Sequence, residues 1–432
     1  MTENILRGLV GVIVLLGICF LFSNAKRSIN WRLVGGGLLL QLFLAILILA
    51  TPFGNFVEWI SGGFVKLIGY SDVGAEFMFG KLIDASQFGF AFKVLPTILF
   101  VAALTSLLYY LGFLQWVVVG FAWVMKRLMR LSGAESLAAA ANVFVGQTEA
   151  PLVVKPYVLG MTKSEMMALM TGGMATIAGS VFGLYVITLG GGDPETEIAV
   201  ARQLLTASMM NAPAALFVAK MLVPEREEID EDLFVPREKA GRNALDALAR
   251  GTTEGLKLAR NVAAMLIVFV AVIALCNGIL GWLGGLGGDG GWINGLIAKA
   301  SGGVFEGLSF EAILGFLFAP IALAIGASSQ DILQLGQLLG TRMVANEFVA
   351  YLQLGEFRSG EALSPKTVFL ATFALCGFAN FSSIGIQIGG IGALAEERRS
   401  DLAALGFKAM IGGTIASLLT ASIAGMFFHL FS

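Results

Sequence analysis

Two acidic side chains carry the chemistry that this sequence can do. Glu149 lies in Gly146-Gln-Thr-Glu-Ala-Pro-Leu152 and Glu347 in Asn346-Glu-Phe-Val-Ala-Tyr351, both within apolar surroundings. An ionised carboxylate in hydrocarbon costs about 2.5–3.5 kcal/mol on insertion scales for Asp, so it usually faces a cavity or a partner. Carboxylates accept hydrogen bonds from hydroxyl and N–H groups. Neither tip has an adjacent Lys or Arg, so a neutral, hydroxyl-rich solute suits them and an anion is repelled. Each acid could instead cap a helix start, and that role is compatible with solute binding. Gln147, Thr148, Asn380, Ser382 and Ser383 add donors and acceptors, and Phe378 and Phe381 add aromatic faces. Singly, each Ser or Asn could merely bond a neighbouring helix. Together they suit a polar heterocycle joined to a sugar. A coupling cation needs hard oxygen ligands. Asn142, Val145 and the Thr176-Ile177 break could furnish side-chain and backbone oxygens, although Thr176 could also bond its own preceding turn.

The elements that hold these residues are membrane helices. Of 432 residues, 57% are hydrophobic and only 13% charged, against about a quarter charged in an ordinary soluble chain. Too little polar surface remains to cover a soluble fold. Spans about 20 residues long are expected for a bilayer core. They fall at 9–22, 34–50, 92–111 (continuing apolar to 124), 166–189, 204–222, 262–280, 368–394 and 402–430. Period-2 alternation is absent, which excludes a β-barrel. The expectation is an all-α polytopic membrane protein with about eight transmembrane helices, two re-entrant helical hairpins and interfacial helices.

The charge balance, 28 Lys and Arg against 30 Asp and Glu, argues against a nucleic-acid partner. Cys19, Cys276 and Cys376 lie in apolar stretches, and His429 is the one histidine, so a disulfide framework, metal cluster or Ser-His enzyme has little to build on. Positive loops orient the spans. Lys126, Arg127 and Arg130, then Arg226, Arg237, Lys239, Arg242 and Arg250, then Arg398 and Arg399, mark the inside. The segments 190–197 and 284–291, the latter carrying only Asp289, mark the outside. Lys26, Arg27 and Arg32 follow the first apolar run, which reads as a membrane helix and not a secretory leader. Both termini fall outside.

Each half repeats one unusual order: a helical stretch with a polar tip, a span interrupted by small and polar residues, and a final apolar span. The interruptions are Gly172-Gly-Met-Ala-Thr-Ile-Ala-Gly-Ser180 and Cys376-Gly-Phe-Ala-Asn-Phe-Ser-Ser-Ile-Gly385. The direct sequence match between the halves is faint. The charge map sends the hairpins in from opposite faces, as an inverted repeat. Paired interrupted segments point to the midplane site of a secondary transporter. An ion channel would need a ring of like residues around an axis, and an amino-acid symporter would need groups for the solute's carboxylate. The chain divides into 1–130, N-terminal scaffold helices; 131–223, the first repeat; 224–306, a charged linker, a long scaffold helix and an outside loop; and 307–432, the second repeat.

At three places the chain resembles the concentrative nucleoside transporters: Gly146-Gln-Thr-Glu-Ala-Pro-Leu152, Asn346-Glu-Phe-Val-Ala-Tyr351 and Cys376-Gly-Phe-Ala-Asn-Phe-Ser-Ser383. The order of spans matches over essentially the whole length. The resemblance implies a non-enzymatic cation–nucleoside symporter of the inner membrane, a homotrimer with a mobile transport domain and a scaffold. It implies that Gln147, Thr148 and Glu149 hold the nucleobase of a solute such as uridine, with Val181 against it. Glu347, Asn380 and Ser383 would hold the ribose, with Phe378 beside the base. Sodium would sit at Asn142, Val145, Thr176 and Ile177. Thr176 stands where the family pattern leads one to expect Ser; both offer a hydroxyl. Some bacterial relatives use protons, so a proton-coupled symporter is the alternative.

Overall fold

The computed structural model describes residues 2–84, 90–229, 241–286 and 291–430. Arg237, Lys239 and Asp289, used above for orientation, lie outside the described residues, as does most of the charged linker. Among the described residues the chain is helical, without strands. In order the helices are α1 (Thr2–Leu21), α2 (Trp31–Leu49), α3 (Phe53–Phe79), α4 (Leu95–Tyr110), α5 (Phe113–Met129), α6 (Gly133–Asn142), α7 (Ala150–Val153), α8 (Lys155–Val158), α9 (Lys163–Ala175), α10 (Gly179–Gly190), α11 (Pro194–Leu222) and α12 (Ala244–Gly284). Then come α13 (Trp292–Ala300), α14 (Phe310–Ala324), α15 (Ile332–Val344), α16 (Glu347–Ser359), α17 (Pro365–Ala374), α18 (Phe381–Gly392) and α19 (Arg399–Met426).

Seven helical stretches among the described residues are long and apolar enough to cross a membrane, α9 and α10 counting together as one. The seventh expected span, at 368–394, is split between α17 and α18, each too short to cross alone. The apolar run from 92 to 124 is not one helix. Gly112, at φ +82, ends α4 and starts α5 as a separate helix. That left-handed conformation is open to glycine at little cost. The 41-residue α12 extends well beyond the expected 262–280. At 1.5 Å per residue it is about 60 Å long, twice a hydrocarbon core.

Polar caps start the short helices that a continuous apolar pattern would have fused. Ser132 with Glu135 and Thr162 with Glu165 form reciprocal capping boxes at the base of the first hairpin. Asn346 caps α16 by accepting from the Val349 N–H at 2.9 Å, and Asn380 caps α18 by accepting from the Ser383 N–H at 2.9 Å. The cap of α16 is therefore Asn346, which frees Glu347, the first residue of that helix, for other partners.

The two hairpins are anchored at opposite ends of α11. At the base of the first, buried Lys220 near the end of α11 pairs with Glu135 of α6 and, at 2.9 Å, with Glu225. At the base of the second, Arg358 donates to the Leu189 carbonyl at 2.9 Å, beside the start of α11. Helices α9, α11, α17 and α19 pack together through buried Ala, Gly, Ser, Met and Leu and are largely buried. In contrast α12 buries only Ala247, Gly251, Gly255, Ala259 and Gly284 along its length. Gly251 and Gly255 sit directly against Ala102, Ala103 and Leu99 of α4. Small residues at this spacing let two membrane helices approach closely.

Candidate functional site

Both hairpin tips and both broken helices converge on one cavity of about 430 Å³. All eight residues expected to meet solute line it: Gln147, Thr148 and Glu149 from the first tip, Val181 from α10, Glu347 from the second tip, and Phe378, Asn380 and Ser383 from the second break. The size is that of an ordinary small-molecule site.

Glu347 is 5% exposed and both its oxygens are engaged. Tyr185 donates its hydroxyl to Oε1 at 2.9 Å, and Asn380 donates Nδ2 to Oε2 at 2.9 Å. Asn380 thus works at both ends, its Oδ1 capping α18 and its amide steadying the carboxylate. Each carboxylate oxygen keeps a further lone pair for a donor in the cavity. Glu149 is organised differently. Its Oε2 accepts from the Gly146 N–H at 2.6 Å, which closes the tip turn, and its side chain is open to the cavity.

The two halves of the chain meet at Gln147. It donates to Ser383 Oγ at 3.0 Å and accepts from Gln387 Nε2 at 3.0 Å, while the same Gln387 nitrogen donates to the Met170 carbonyl at 3.0 Å. Glycine at 173 makes room for this chain of amides: a Cβ there would lie 2.8 Å from Gln387 Nε2 and 2.9 Å from Gln147 Cβ.

Behind the first tip, Asn142, Val145, Thr176 and Ile177 are all buried. The Gly179 N–H donates to the Phe144 carbonyl at 3.1 Å and ties the break to the hairpin. Val145 and Ile177 lie in non-helical backbone. Neither Asn142 Oδ1 nor Asn142 Nδ2 has a hydrogen-bond partner among the described residues. Thr176 donates to the Gly172 carbonyl at 3.0 Å, so its oxygen lone pairs remain available. A buried amide oxygen left unmatched beside a helix break is available to a hard cation.

Sequence reasoning missed several contributors. Tyr185 sits in an apolar run that does not single it out. Lys257 and Asn261 of α12 line the cavity from just before the expected span 262–280, with Lys257 paired to Glu254 at 2.8 Å. Asn211 of α11 donates to the Ala175 carbonyl at 2.7 Å and to the Cys376 carbonyl at 3.0 Å, so one amide serves both breaks. Gly377, at φ +134, lets the second break lie on the first: a Cβ there would be 2.5 Å from the Ala175 oxygen. Removing the Asn211 amide strands buried carbonyls, at about 1–3 kcal/mol for each group left unsatisfied. Asn211→Ala is expected to melt several degrees below the wild type in detergent. An unchanged melting temperature would show that the amide does not hold the breaks.

Broken helices paired across one cavity in a bundle of apolar helices define a secondary transporter, not an enzyme. Three family profiles agree: Na+ dependent nucleoside transporter N-terminus over residues 10–82, Nucleoside recognition over 91–192, and Na+ dependent nucleoside transporter C-terminus over 203–425. The chain belongs to the concentrative nucleoside transporter family. It is 43% identical to an uncharacterized transporter of Haemophilus influenzae, across 99% of both chains. It is 37% identical to sodium/nucleoside cotransporter 1 of Rattus norvegicus, over 97% of this chain and 63% of the longer rat protein. The solved structure of CNTnw in an inward-facing substrate-bound state is similar at 39% identity and a TM-score of 0.87, covering 98% of this chain and 99% of that one. A doubly substituted CNTnw in an outward-facing state gives a TM-score of 0.88 at 38% identity, over 99% and 98%.

Proposed function

We propose that this protein imports nucleosides by sodium symport, with the two hairpins and two broken helices moving as one body past α4 and α12. The observation that carries the reading is the cavity itself, where an amide-and-acid tip faces a carboxylate braced by Tyr185 and Asn380. The first tip suits the edge of a nucleobase, through Gln147, Thr148 and Glu149 with Val181 against the ring. The second suits ribose hydroxyls, through Glu347, Asn380 and Ser383 with Phe378 beside the base. Sodium fits the unmatched Asn142 amide together with Val145, Thr176 and Ile177. A filled cation site orders the first tip, so the base meets a preformed surface. The name of the rat cotransporter supports sodium as the ion. The inward- and outward-facing forms of CNTnw support alternating access. In this reading 131–223 and 307–432 are the two repeats, and 1–130 and 224–306 supply most of the scaffold. The apolar face of α12, with Ile267, Leu275 and Trp282 exposed, meets lipid or neighbouring copies in a homotrimer. The protein lies in the inner membrane with both termini outside.

Radiolabelled uridine uptake into proteoliposomes tests this. An inward sodium gradient is expected to accumulate uridine above equilibrium, and potassium in its place is not. Accumulation driven by a proton gradient alone, with no response to sodium, would establish the proton-coupled alternative instead.

A further inference from the structure

Arg342 is a full charge inside the helical core that solute recognition does not use. It stands near the end of α15 and is 1% exposed. Its Nη1 donates to the Ala374 carbonyl, the last of α17, and to Ser417 Oγ of α19 at 2.7 Å. Its Nε and Nη2 have no hydrogen-bond partner among the described residues, and no carboxylate there lies within ion-pair distance. A carbonyl and a hydroxyl do not compensate a guanidinium withdrawn from water, and charged groups at membrane depth are usually functional.

The repeat explains the position. Helices α6, α9 and α11 of the first half correspond to α15, α17 and α19 of the second. In the first half Asn142 ends α6 beside α9, whose last carbonyl, Ala175, is held by Asn211 of α11. In the second half Arg342, near the end of α15, reaches the last carbonyl of α17 and a hydroxyl of α19. The carbonyl end of a helix carries partial negative charge and favours a cation. The first half has an amide there, suited to an ion from solution. The second half has a cation already attached to the chain.

We propose that Arg342 is a tethered cation, standing in the second repeat where the coupling ion stands in the first, and that it fixes transport at one coupling cation per nucleoside. The inference rests on the cation-coupled reading above. Around the cavity and the breaks, Glu149 and Glu347 each carry a negative charge and Arg342 a positive one. Glu254 and Lys257 of α12 cancel each other, and the Tyr and Cys side chains here are neutral at ordinary pH. The lining of the cavity and the breaks therefore carries one uncompensated negative charge, which one monovalent cation neutralises before the crossing. Without the guanidinium two cations are required.

Charge moved per uridine, read from the membrane potential at which net flux reverses in proteoliposomes, decides this. Wild type and Arg342→Lys are expected to move one charge per uridine. Arg342→Met is expected to move two, with a steeper activation by sodium, or to lose transport that Arg342→Lys retains. One charge per uridine in Arg342→Met overturns the proposal, and so does equal loss of transport in Met and Lys variants, since shape and not charge would then be at stake. The gradient that sets the reversal identifies the ion separately. If it is the proton gradient, the sodium assignment fails while the charge ratio still decides the role of Arg342.

Discussion

Glu347→Gln is expected to weaken uridine binding about tenfold to a hundredfold in a protein that still folds. Losing a charged hydrogen bond costs about 1.5–3 kcal/mol, which sets that range. Folding survives because the amide can keep the local pattern: its oxygen accepts from Asn380 Nδ2, and its NH2 donates to the Tyr185 hydroxyl, which turns its own proton away. What is lost is the second acceptor presented to ribose. Tyr185→Phe is the control, since it removes one brace and leaves the carboxylate, and should cost less. Calorimetric titration of both purified variants with uridine checks the order. Near-normal affinity in Glu347→Gln would remove ribose from this tip.

Asn142→Ala is expected to uncouple uridine from sodium. Sodium affinity should fall at least tenfold, so that at a given sodium concentration uridine gains less affinity; the gain that remains must equal the gain uridine gives sodium, because binding linkage is reciprocal. The unmatched amide gives a second, opposite signature. Removing a buried polar group that has no partner does not cost the stability that breaking a made hydrogen bond costs. The variant should therefore melt at or above the wild-type temperature without sodium, and fail to gain the stabilisation that a bound ion confers. Thr176→Val should follow it while keeping the shape of the site. Titrations at varied sodium, fixed ionic strength and fixed pH give the answer. A sodium effect that persists undiminished in both variants would place the ion elsewhere.

The features legible in the sequence were those that break a pattern. Glycine, threonine and proline interrupting apolar runs marked the breaks and tips, because hydrocarbon makes such interruptions costly. Glu149 and Glu347 stood out for the same reason. The illegible features were those that a membrane sequence supplies in abundance. Tyr185 is one aromatic among many. Asn211 and Gln387 are amides within expected apolar spans, where bonding a neighbouring helix is the ordinary expectation. Arg342 follows Gly-Thr in a moderately apolar stretch broken by polar residues, and only the packing of α15 against α17 and α19 reveals that its side chain is buried. The end of α4 was missed because a lone Gly112 in an apolar run does not disclose its sign of φ.

The contact of Gly377 with Ala175, with Asn211 spanning both, has a consequence for inheritance. Two halves of a chain can drift apart wherever each packs against its own neighbours. Here each break is part of the other's wall, and the room for a side chain on one side is set by the backbone of the other. A methyl group gained at 377 has to be met by a shift at 175, and a change in either carbonyl's position has to suit the same amide. Mutations at this crossing are therefore accepted jointly or not at all. A chimera that takes one half from a relative inherits a mismatch at the midplane unless residues 175, 211 and 377 travel together.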